Sequence, residues 1–116
     1  MEYNLEGRTK KFSVDSLNIM AKIEQNAINK SIISQCVRSV TSVGANYREA
    51  NGASSKKDFR NKIHICKKEI QESKYWIELL AKTSPVFIEE LRRLWKEAHE
   101  LTLIFNKISN TLNNKN

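Results

Sequence analysis

The chain has 116 residues, three glycines, one proline and a formal net charge of +7. That length supports one domain with a real core and is too short for two. So little Gly and Pro excludes a turn-rich sandwich or barrel and favours long regular segments.

No apolar run approaches the ~18 residues of a membrane span. The N-terminal MEYNLEGRTKK lacks the apolar stretch of a signal peptide, so a cytoplasmic location is expected. In that reducing setting Cys36 and Cys66 are expected to be buried thiols rather than a disulfide.

Four helices are predicted in chain order. The first covers roughly 5–25, with Leu5, Phe12, Ile19, Ile23 and Ala27 at helical spacing and Met20 alongside. The second covers 30–51. Ile33, Val37, Val40, Gly44 and Tyr47 alternate by four and three, and Ile32, Cys36 and Val43 widen the apolar face. Asn51-Gly52-Ala53-Ser54 then reads as a turn, with Gly just past a helix end.

Ser55 and Asp58 form an S-x-x-D capping signal for the third helix, 56–82. Its stripe is Phe59, Ile63, Cys66, Ile70, Ser73, Ile77 and Leu80, with Arg60, His64, Lys67, Gln71, Lys74 and Glu78 on the wet side. Ser84-Pro85 marks the start of the fourth helix, 85–112. Phe87, Leu91, Leu94, Ala98, Leu101, Phe105, Ile108 and Leu112 form its stripe, and the tail over 113–116 is expected to fray. Four long amphipathic helices with short links predict an all-α, antiparallel up-down-up-down four-helix bundle of one domain, 1–116.

The second helix carries an ordered polar band. Gln35, Ser39, Ser42, Asn46 and Glu49 fall within roughly 80° of one another at ~100° per residue. Folding helices two and three as a hairpin about residues 53–54 sets Glu49 against Phe59, Asn46 against Lys62, Ser42 against Cys66, Ser39 against Glu69 and Gln35 against Ser73. The band is therefore expected to be an internal polar seam between the two helices. A subunit interface and a ligand site are the alternatives.

Candidate chemistry is thin. Ser39 has no G-x-S-x-G context and no nearby histidine. His64 and Cys66 are two apart and point to different sides of a helix, a poor metal pair. Glu69, Glu72, Glu97 and Glu100 bring di-iron bundles to mind, but such sites need Glu-x-x-His, and neither His64 nor His99 follows a Glu by three. There is no phosphate-binding glycine loop; Gly44 lies mid-helix, where close helix packing explains it. No catalytic residue, metal or cofactor is expected.

The positive charge favours anionic partners, nucleic acid above all. Arg60, Lys67 and Lys74 are expected on one exposed face of helix three, and Arg92, Arg93 and Lys96 gather on helix four. Trp76 and Leu79 beside the third stripe, with Trp95 and Ile104 on the fourth helix, are candidate oligomer contacts. Stacking of bases on the tryptophans would require exposed rings.

Four stretches then show a family pattern: RTKKF at 8–12, QCVRSVTSVGANYREANGASSKKDFRNKI at 35–63, KEIQESKYWIELL at 68–80 and KEAHELTLIF at 96–105. Together they resemble the bacterial four helix bundle protein family, also called the 23S rRNA-intervening-sequence protein family, over nearly the whole chain. One departure is ANYREAN, where distant members often carry N-I-A-E-G. The resemblance implies an antiparallel bundle, a ring-like homopentamer and no established enzymatic activity. It also implies kinship with the basic accessory proteins of diversity-generating retroelements, which work beside a reverse transcriptase. The function expected is a self-assembling scaffold that binds RNA or DNA non-specifically. The alternative is a protein-interaction module with no nucleic-acid affinity.

Overall fold

A computed structural model describes residues 4–114. Its helices are α1 (Leu5–Lys22), α2 (Lys30–Asn51), α3 (Lys56–Thr83) and α4 (Ile88–Asn113), with a short 3-10 turn at Pro85–Phe87 before α4. No strand occurs among the described residues. Each helix packs on its sequence neighbours, and α4 closes the ring against α1.

Side-chain contacts set the directions. Glu6 meets Arg48 and Ser13 meets Val40, so α1 and α2 are antiparallel. Lys62 meets Glu49 and Ser73 meets Ser39, which makes α2 and α3 antiparallel. Lys74 meets His99 and Glu78 meets Trp95 across α3 and α4, while Arg8 meets Glu97 and Lys22 meets Glu90 across α1 and α4. The result is an up-down-up-down bundle of 47 × 22 × 21 Å. Its radius of gyration is 14.8 Å, against ~13 Å for an equally long compact chain.

Each helix turns most of its predicted stripe into the core. Phe12, Ile33, Val40, Ile63, Ile70, Ile77, Leu91, Leu101 and Phe105 lie in one continuous core. Small polar residues share that interior. Thr9, Ser16 and Thr102 are buried, and each hydroxyl donates to a carbonyl one turn back, on Leu5, Phe12 and Ala98. Such bonds let a hydroxyl sit in an apolar core without losing its partner.

The helix ends differ from expectation in two places. Helix α1 stops at Lys22, three residues short of the predicted end, and Ile23 is extended. The cause lies beyond it: the Asn26 side-chain oxygen accepts the backbone N–H of Ile28 and of Asn29, at 2.8 and 2.9 Å. Asn29 is buried and ties back to the Glu24 carbonyl. These side-chain bonds replace helical ones, and Ala27 is exposed in the turn rather than in the α1 stripe.

Helix α4 begins at Ile88, not Pro85. Ser84 makes no side-chain cap, and its carbonyl instead accepts Phe87 N–H in the 3-10 turn. Ser55 does cap α3, accepting Asp58 N–H at 3.0 Å. Residues 115–116 of the tail expected to fray lie outside the described residues.

Candidate functional site: the polar seam and the basic face

The seam between α2 and α3 holds the predicted residues in a shifted register. Ser39 and Ser73 are fully buried, with their hydroxyl oxygens 3.2 Å apart. Ser39 donates to the Cys36 carbonyl, and the Glu69 carbonyl is 2.8 Å from the Ser73 hydroxyl. Lys62 donates to Glu49 at 2.8 Å. Of the expected pairs, Ser39 does not bond Glu69, Asn46 does not bond Lys62 and Gln35 does not bond Ser73. Asn46 and Ser42 instead donate along α2, to the Ser42 and Arg38 carbonyls. Gln35 is exposed and accepts a long 3.4 Å bond from Arg38.

The shift has a geometric cause. The Cα–Cβ bonds of a helix lean toward its N-terminus. Near this turn the α2 side chains lean away from the turn and those of α3 lean toward it. The facing hydroxyl partner therefore lies one turn further along α3 than a symmetric fold predicts.

Arg38 organises the rest of the seam. Its guanidinium donates to Glu69 and to Glu72, each at 2.9 Å. The Glu69 side chain is only 10% exposed and that of Arg38 is 47% exposed, so a half-exposed cation covers a nearly buried carboxylate. Sequence reasoning did not single out Arg38. Its signal is the Glu69/Glu72 pair, two carboxylates on one ridge of α3 that need a fork-shaped cation opposite.

The thiols carry no chemistry at neutral pH. Cys36 and Cys66 are free and fully buried. Burial pushes both up to about 12 from the ordinary 9.0, which keeps them protonated. Among the described residues no three His, Cys, Asp or Glu side chains cluster as metal ligands.

The basic residues divide in two. Arg60, Lys67 and Lys74, expected on an open face, are half-buried. Lys74 donates to His99 Nδ1 at 3.0 Å and sits 4.8 Å from the centre of the Trp95 ring. Trp95 stacks on His99 with planes 7° apart and donates its indole N–H to Glu78 at 2.9 Å. Arg92, Arg93 and Lys96 are exposed as expected, and Arg92 pairs with Glu89.

The outward ridges supply further cations: Lys68 and Lys82 on α3 and Lys107 on α4, all exposed. Of the candidate oligomer contacts, Trp76, Leu79 and Trp95 are half-buried. Ile104 is 7% exposed and belongs to the chain's own core, so it has no side chain to offer a second subunit. It was misassigned because it lies beside the main α4 stripe, on the side that α1 covers.

These features define a class: an antiparallel four-helix bundle with an apolar core, a polar seam and a basic outer face. The family model for the 23S rRNA-intervening sequence protein matches residues 7–107, and the chain belongs to that family. No curated protein matches the sequence. Among solved structures the chain is similar to a protein of unknown function from the S23 ribosomal protein family of Bacteroides thetaiotaomicron. Identity is 30% and the TM-score 0.79, over 90% of this chain and 96% of the other. No helix among the described residues is long and apolar enough to cross a membrane.

Proposed function

We propose that this chain is a non-enzymatic, self-assembling helical scaffold that binds nucleic acid through the outer face of α3 and α4. One observation carries the reading. Across the other three seams carboxylates on one helix meet cations on the next: Arg48–Glu6, Arg38–Glu69, Lys62–Glu49, Arg8–Glu97 and Lys22–Glu90. On the α3–α4 face Lys68, Lys82, Lys96 and Lys107 form no ion pair among the described residues. Six of the thirteen acidic residues are thus spent on three seams, and these four exposed lysines remain uncompensated on the fourth. Lysines on helix ridges contact phosphates and carry little base information, so binding is salt-sensitive and weakly selective.

The test is an anisotropy titration with RNA and DNA at low and near-physiological salt, comparing the native chain with Lys68→Glu/Lys82→Glu/Lys96→Glu. Native binding that weakens with salt, and loss of affinity in the triple variant, are expected. Absence of binding at low salt, or equal binding by the variant, overturns the reading.

A second reading has its own observation. On the opposite face, between α1 and α2, Val14 and Leu17 are 45% and 38% exposed. Val14 lines a shallow groove of about 420 Å³ with Ser13, Thr41, Gly44 and Ala45, and Leu17 follows it one turn along α1. That surface suits a protein contact, either a second copy or an accessory partner, and it leads if nucleic acid does not bind.

A further inference from the structure

We propose that Tyr75 is a base-stacking platform, and that the basic face therefore takes single-stranded nucleic acid in preference to duplex. The inference rests on the nucleic-acid reading of that face and goes beyond it, because lysines alone do not tell strand from duplex. Trp76 and Trp95 are both half-buried, and Trp95 is already covered by His99 and Lys74. Tyr75 is different. It is 53% exposed on the outward ridge of α3, and its ring is propped at 65° against Trp76, with centroids 5.1 Å apart.

The two carboxylates beside the ring are both engaged by other side chains. Glu72 and Glu78 lie three residues to either side, close enough to repel a phosphate. Glu72 is held by Arg38, and Glu78 accepts the Trp95 indole N–H. Gln71 and Leu79, four residues to either side, are uncharged. Lys68 and Lys82 come next, seven residues away in each direction and both exposed, about 10 Å along the helix axis at ~1.5 Å per residue.

The ridge thus reads cation, ring, cation. A base laid on the Tyr75 ring would place its flanking phosphates toward Lys68 and Lys82. This combination of aromatic platform and cationic track binds single strands irrespective of sequence, since every base has a π-face. A duplex keeps its bases stacked on each other and offers the ring nothing, so it reaches the lysines alone.

The experiment is a titration of the full chain with matched single-stranded and duplex oligonucleotides, in RNA and DNA versions. Tyr75→Ala, Tyr75→Gln and Tyr75→Trp are compared, and circular dichroism melting checks that each folds. The expected result is tighter binding of single strands. Tyr75→Ala and Tyr75→Gln should each lose about five-fold or more on single strands, the lower end of what one stacked base contributes. Duplex binding and the salt slope should not change, and Tyr75→Trp should retain the preference. The RNA and DNA arms then identify which strand the ring serves. Salt-sensitive binding that is equal for strand and duplex, or indifferent to Tyr75, overturns this proposal and leaves the basic face standing. No binding by the native chain in any arm overturns both.

Discussion

Arg38 and Glu69 are unequal partners. Glu69 is nearly buried, while Arg38 is half-exposed and holds Glu72 as well. Removing the carboxylate leaves a cation with water and a second partner, whereas removing the cation leaves a desolvated charge. Glu69→Ala is therefore expected to cost about 0.5–1 kcal/mol, in the range of exposed ion pairs. Arg38→Ala should cost more, ~1–3 kcal/mol, and Arg38→Ala/Glu69→Gln should recover part of that loss. Urea unfolding of the four chains measures the asymmetry, and equal costs for the two alanine variants would contradict it. The seam was legible as a polar band on α2. Its pairings were not, because they depend on the lean of side chains across a turn and on the reach of an arginine that periodicity does not flag.

Gly44 shows the same logic for a whole element. Helix α2 crosses α1 closely at this point: a Cβ built on Gly44 would lie 3.4 Å from Thr9 Oγ1 and 3.5 Å from Thr9 Cβ. That is ordinary contact, so a methyl fits without moving the helix. A mid-helix glycine costs roughly 0.5–1 kcal/mol relative to alanine. Gly44→Ala should therefore be neutral or stabilising, whereas Gly44→Leu should wedge α1 off α2 and cost ~1–3 kcal/mol as an overpacked site. Thermal melting of both variants is the check, and a strongly destabilised Gly44→Ala would mean a tighter crossing than the geometry gives. The sequence reading of Gly44 as a packing residue matches this contact. Where α1 ends did not follow from the sequence pattern, because Ile23 continues the helical spacing while the Asn26 and Asn29 side chains capture the backbone.

At the scale of the molecule, the cyclic order of the helices sets the α1–α2 face opposite the basic α3–α4 face. One side offers exposed Val14 and Leu17, the other exposed lysines and Tyr75. A ring that uses the apolar side for assembly keeps its cationic side open, and repetition of a weak basic patch makes modest contacts effective through avidity. Light scattering at micromolar concentration is expected to give a mass several times that of one chain. Val14→Lys/Leu17→Lys should reduce that mass if the α1–α2 groove is the contact. A single-chain mass for the native protein would remove self-assembly from the proposed function.

The sequence by itself determined the helix count, the core stripes and the bundle class. Each of these depends on local periodicity: apolar residues every three to four positions must face a common interior. Caps such as Ser55 are local for the same reason. Family membership was also legible, from the blocks around Gln35–Ile63 and Lys68–Leu80. The tertiary structure alone decided which charges meet. It drew Lys74 onto His99 and Trp95, gave Arg38 to Glu69 and Glu72, buried Ile104 and left Tyr75 exposed. The reason is one of reach. Periodicity assigns a residue to a side of its own helix, but exposure and pairing depend on which neighbour stands on that side and how far its side chains extend.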